Sequence, residues 1–153
     1  MTFPGYKPST LALWAVLALP ALTMISPLLG DDDRAFHRLL HPTGEWAARL
    51  MIIGMMASGL MLLFKGRQWP RWLVHHRRDI EVAAFVYAAL HTLVYVIDRG
   101  TLDRIIEALP KTEIWTGWVA MLIFVPLAIT SNNAAQRWLH TGWKTLQRLS
   151  YPA

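Results

Sequence analysis

The sequence predicts an all-α integral membrane protein: one domain over residues 1–153, with four transmembrane helices and a C-terminal amphipathic or partial fifth helix. Two observations predict it. Of 153 residues, 54% are hydrophobic and only 16% charged, against about 25% charged in soluble domains. The charges also cluster between apolar runs close to the roughly 20 residues that a helix needs to cross about 30 Å of hydrocarbon.

The first span is placed at 11–29, "LALWAVLALPALTMISPLL", with Pro20 and Pro27 expected to bend it. It lacks a small-residue cleavage site after the apolar run and reads as a retained span rather than a signal peptide. The second, 46–64, is interrupted only by Arg49, which lies near one end and can extend its head to the interface. The third covers 80–97. The fourth, 115–130, is short and is expected to extend back towards Lys111.

Beyond the polar "SNNAAQ", the segment 134–153 carries Trp138, Leu139, Trp143, Leu146 and Leu149 at helical spacing, with Arg137, Lys144 and Arg148 between them. That pattern fits a basic amphipathic helix on the membrane surface, or the start of a further span. Trp46, Trp69, Trp72, Trp115, Trp118, Trp138 and Trp143 mostly flank the spans, where amphipathic rings favour the interface.

Direction follows from lysine and arginine in the loops. The 65–79 loop holds Lys65, Arg67, Arg71, Arg77 and Arg78. The 30–45 loop has Arg34 and Arg38 beside Asp31–Asp33, and the 98–114 loop dilutes its cations with acidic residues. The 65–79 loop and both termini are therefore expected in the cytoplasm of a multi-pass protein of the bacterial inner membrane. The net charge of +5 reflects these loops and not a nucleic-acid surface. The absence of cysteine excludes disulfides, cysteine-ligated iron–sulfur clusters and thiol catalysis. No phosphate loop, nucleophile elbow or dinucleotide fingerprint occurs.

Of six histidines, only His91, in "AALHTLVYVID", lies deep in a span. An ionisable side chain there points to function. Three roles stay open on the residues alone: a metal or haem ligand, a hydrogen-bonded packing residue, or a proton relay. His75 and His76, adjacent in "VHHRRD", point to different helix faces and are expected in a solvated loop or against lipid headgroups. His37 and His41 have the i, i+4 step of a helical metal pair but no evident third ligand. His140 is expected at the interface. Met51, Met55, Met56 and Met61 are expected to pack or face lipid. Gly54 and Gly59 miss the four-residue step of a GxxxG face, and Ser58–Gly59 is the expected point of close helix approach.

Four segments, in order, carry a resemblance: "HPTGEWAARLM" (41–51), "RRDIEVAAFVYAALHTLVYVIDR" (77–99), "GWVAMLIFVPLAITSN" (117–132) and "RWLHTGWKTLQRLSY" (137–151). Together they resemble the ferric-reductase-like transmembrane family, and within it the haem-binding membrane subunits of bacterial periplasmic methionine sulfoxide reductase systems. The resemblance implies a helical bundle passing electrons through haem b, from a cytoplasmic-side or quinol donor to a periplasmic acceptor. Such a chain is at most a non-catalytic electron-transfer subunit, with the lipid bilayer, other membrane subunits and a periplasmic redox protein as partners. It implies His91 as an axial ligand to haem iron, in an "LHxxxY" pattern completed by Tyr95. Arg77 and Arg78 match a basic pair able to meet haem propionates or headgroups.

The chain departs from the family pattern at Asp79-Ile80-Glu81, where a small-residue step is usual, and at Gln147, where the family has histidine. A helix from Trp143 would regain the depth of His91 after ~16 residues, or ~24 Å. The family's remaining histidine lies at about that point, past Gln147, so the resemblance implies a second axial ligand beyond residue 153 or from another chain. The alternative is a haem-free accessory subunit of a larger respiratory or photosynthetic membrane complex.

Overall fold

The computed structural model describes residues 8–30, 34–131, 137–138 and 142. Its described elements are helical, as the sequence predicts. They are α1 (Pro8–Thr23), a 3₁₀ turn (Ser26–Leu28), α2 (Ala35–Leu63), α3 (Gln68–His75), α4 (Arg77–Arg99), α5 (Leu102–Ala108) and α6 (Thr112–Ile129). Three of these, α2, α4 and α6, are long and apolar enough to cross a membrane, while α1 is a shorter apolar helix. The segment 134–153 lies almost entirely outside the described residues.

The structure departs from the sequence expectation at four places, one of them α1, which ends at Thr23 rather than residue 29. The largest is α2, which begins at Ala35 rather than near Trp46 and carries Pro42 inside it. Proline removes one amide donor but is tolerated where neighbouring helices and Ser/Thr side chains satisfy the backbone. Thr43 next to it donates its hydroxyl to the Leu39 carbonyl at 2.7 Å. The basic 65–79 loop contains the amphipathic α3, and the 98–114 loop contains α5. Gly66 and Gly100 adopt φ of 87° and 71°, and end α2 and α4 in a conformation that side chains disfavour.

The core is the antiparallel pair α2–α4. On α2 the buried residues Ala35, Leu39, Thr43, Ala47, Leu50, Gly54 and Ala57 advance by steps of four and then of three or four. That is the seam of two helices crossing at a shallow angle. Ile80, Ala83, Ala84, Tyr87 and Val94 meet it from α4. Small residues dominate because two helices in lipid gain stability from close packing rather than from leaving water. Gly54 is where they come closest: a β-carbon there would stand 3.0 Å from Cγ of Glu81. Gly59 has nothing within 4 Å. The close approach therefore belongs to Gly54, not to the Ser58–Gly59 step.

α1 lies against α4 through Tyr87. The phenol hydroxyl accepts from the Ala21 amide (3.1 Å) and donates to the Leu17 carbonyl (2.8 Å). Ala21 and Leu17 are the donor and acceptor that an α-helix joins directly. At the far side, α6 rests on α4 and leaves most of its surface outward. Arg78 holds its end, donating to the Ser131 carbonyl through Nε at 2.9 Å and through Nη2. A guanidinium suits the unpaired carbonyls and negative pole of a helix C-terminus.

Candidate functional site

His91 sits on α4 two turns before Arg99, with its ring pressed against α2. Its Nδ1 is 3.0 Å from the Leu40 carbonyl and 3.1 Å from the Thr43 hydroxyl. A carbonyl can only accept, so Nδ1 carries the proton. The Thr43 proton goes to Leu39, which leaves the Thr43 oxygen able to accept from Nδ1 as well. Gly44 completes the socket: a β-carbon there would meet Cε1 and Nδ1 of His91 at 3.1 Å each. In the neutral ring this is the Nδ1–H tautomer, with the lone pair on Nε2. That nitrogen makes no hydrogen bond among the described residues. A fixed Nδ1–H with a free Nε2 is how proteins orient histidine as a metal ligand.

His91 also lines a cleft between α4 and α6 with about 410 Å³ of open space, walled by Thr92, Tyr95, Glu113, Ile114, Gly117 and Trp118. Gly117 faces open space, with nothing within 4 Å of a β-carbon built there. On α4 the face continues in four-residue steps from His91 to Tyr95 to Arg99. The Arg99 guanidinium lies 5.3 Å from the centre of the Tyr95 ring. Tyr95 Oη and Arg99 Nε are both buried without a hydrogen-bond partner among the described residues. A second cleft, larger in total open space at about 640 Å³, lies towards the other end of α4, lined mainly by apolar side chains including Met51, Met55, Phe85 and Phe124, together with Glu81. It contains no imidazole.

The other residues singled out by sequence lie elsewhere. Arg77 and Arg78 are fourteen and thirteen positions from His91, about 20 Å along the helix. Arg77 pairs with Glu81 at 2.6 Å and reaches Ser58 at 3.3 Å. The structure brings Tyr95 to His91 and leaves both arginines at the opposite end of α4. His76 departs from the expectation of a solvated loop: it is buried, with its ring tilted against Trp72 and 3.2 Å from Asp79. It occupies the joint between α3 and α4, where packing excludes water. His75 is exposed. His37 and His41 are exposed, His37 contacts Asp98 at 3.3 Å, and no metal-binding group of three or more His, Cys, Asp or Glu occurs among the described residues. His140 lies outside them. Of the methionines, Met51 and Met55 line the larger cleft, and Met56 and Met61 are exposed. Sequence reasoning missed Leu40, Thr43, Gly44 and Arg99. Only Arg99 had a signal, the repeated four-residue step from His91.

Comparison with known proteins follows the same segments. The family of the ferric reductase like transmembrane component matches residues 43–153. A protein-methionine-sulfoxide reductase heme-binding subunit MsrQ from Agrobacterium fabrum is 35% identical over 114 residues, 72% of this chain and 51% of that protein. The protein of the same name from Xanthomonas campestris pv. campestris (strain 8004) is 37% identical over 130 residues, 83% of this chain and 57% of the relative. That from Rhizobium meliloti is 33% identical over 154 residues, 95% and 68% of the two chains. The chain spans about half the length of the first two relatives. No solved structure matches. With the family match running from the His91 socket through α4 and α6, the chain belongs to the ferric-reductase-like transmembrane family.

Proposed function

We propose that this chain is a haem-binding electron-transfer subunit of the bacterial inner membrane, with His91 as an axial ligand of a b-type haem. The observation that carries the reading is the Nδ1–H of His91, held by Leu40 and Thr43, which leaves Nε2 to face a metal. The relatives named as heme-binding subunits of protein-methionine-sulfoxide reductases support it.

The cleft residues fit a flat macrocycle. Gly117 leaves the α6 wall open, Trp118 and Ile114 supply apolar surface, and Tyr95 offers an unpartnered hydroxyl. Haem supplies a reversible one-electron change at iron. The chain's own residues bind and orient it. Leu40 and Thr43 hold the Nδ1 proton and so raise the ligand strength of Nε2. Gly44 lets the ring lie flush against α2.

In this reading the Arg99 end of α4 faces the periplasm, as the loop charges predict. His91 then lies nearer the periplasmic side, next to a periplasmic acceptor protein. Electrons arrive from a cytoplasmic-side or quinol donor. The test is the absorption spectrum of the purified protein. A Soret band that sharpens on dithionite and is lost in His91→Ala supports the proposal. A colourless preparation that co-purifies with other membrane subunits overturns it in favour of a haem-free accessory role.

A further inference from the structure

We infer that Arg99, with the Tyr95 hydroxyl, is the receptor for an anionic oxygen group of the molecule bound at His91, a porphyrin carboxylate. This rests on the haem reading above and adds to it the residues that fix the ring's direction.

Three observations carry it. Arg99 follows His91 and Tyr95 on one face of α4, towards the end of the helix. Its guanidinium packs over the Tyr95 ring at 5.3 Å, and Tyr95 is itself a wall of the cleft. The Arg99 Nε and Tyr95 Oη are buried with no hydrogen-bond partner among the described residues. Native proteins rarely leave such groups unsatisfied, since each loses its hydration for nothing in return. A carboxylate only accepts, and these groups offer it an N–H and an O–H donor plus a positive charge.

The placement also explains why Arg77 and Arg78 do not serve this role. They lie about 20 Å from His91 along α4, where they contact Glu81, Ser58 and the Ser131 carbonyl. Glu113 on the opposite wall repels an anion, so the carboxylate is directed to the Tyr95 wall, against which Arg99 packs.

The experiment compares iron protoporphyrin IX with its dimethyl ester, titrated into the full chain in detergent. The wild type is expected to favour the free acid. Arg99→Gln should weaken the free acid about tenfold and leave the ester unchanged. Arg99→Lys should recover part of the preference, and Tyr95→Phe should lose a smaller share. The Soret maximum of each loaded variant reports that His91 still ligates iron. A second readout is the midpoint potential of the bound iron, which falls when the cation is removed. Equal binding of acid and ester by the wild type, or a preference untouched in Arg99→Gln, overturns this inference and leaves the haem reading standing. Failure of the wild type to bind either porphyrin overturns both. Should Arg99→Gln fail to fold, the acid-to-ester preference of the wild type and of Arg99→Lys still decides the question.

Discussion

The imidazole of His91 lies so close to Gly44 that a single added methyl would stand 3.1 Å from two of its ring atoms. Gly44→Ala must therefore push the ring away from the Leu40 carbonyl by a few tenths of an ångström, or bend α2. We expect the variant to lose about 1–3 kcal/mol of stability, the usual cost of overpacking. The bound haem should leave faster, and thermal unfolding with haem transfer to an acceptor protein measures both. Unchanged haem retention would show that the fit at Gly44 is not needed for ligation.

Thr43 offers a cleaner probe of the proton on Nδ1. Thr43→Val keeps the volume and removes the oxygen that shares that proton. Haem affinity should fall roughly 10-fold, the low end of the range for such outer partners, because Leu40 still accepts. Thr43→Ser should restore it. Equilibrium haem titration distinguishes the three proteins.

Gly54 and Gly59 face different surroundings despite their closeness in sequence. Leucine at 54 collides with Glu81 on α4, whereas leucine at 59 enters open space. Gly54→Leu should lower stability by about 1–3 kcal/mol, and Gly59→Leu should leave it near the wild type. Unfolding in detergent compares them directly, and equal loss in both would contradict the α2–α4 packing.

Tyr87→Phe removes a hydroxyl that serves Ala21 and Leu17 together. Hydrogen bonds between helices in a bilayer contribute modestly, so a loss of about 0.6–1.7 kcal/mol is expected. Faster hydrogen exchange at the Ala21 amide would localise the effect to α1.

What could be read from the sequence was set by periodicity and solvent. Long apolar runs locate α4 and α6 within three residues at each end, because a span's length is fixed by the bilayer. The start of α2 was hidden by Pro42 and by the polar residues around it, which read as a loop when the helix is considered alone. Thr43, next to Pro42, gives its hydroxyl proton to the Leu39 carbonyl and turns its oxygen to His91 of α4. The socket of His91 was illegible for a related reason. Leu40 contributes a main-chain carbonyl, and Gly44 contributes an absence. Neither has a side-chain signature until the rotation of α2 against α4 is known. Arg77 and Arg78 drew attention through their adjacency, yet the helical rise carries them out of reach of His91. Arg99 has no such neighbour, but α4 places it on the same face as His91.

The Tyr87 hydroxyl between Leu17 and Ala21 also imposes an order on biosynthesis. When α1 leaves the ribosome and enters the bilayer, residue 87 does not yet exist, so the Ala21 amide has only its own helix to bond with. Once α4 is inserted, its phenol takes over both groups beside Pro20. The first helix therefore gains this contact only after the second long helix behind it in the chain has arrived.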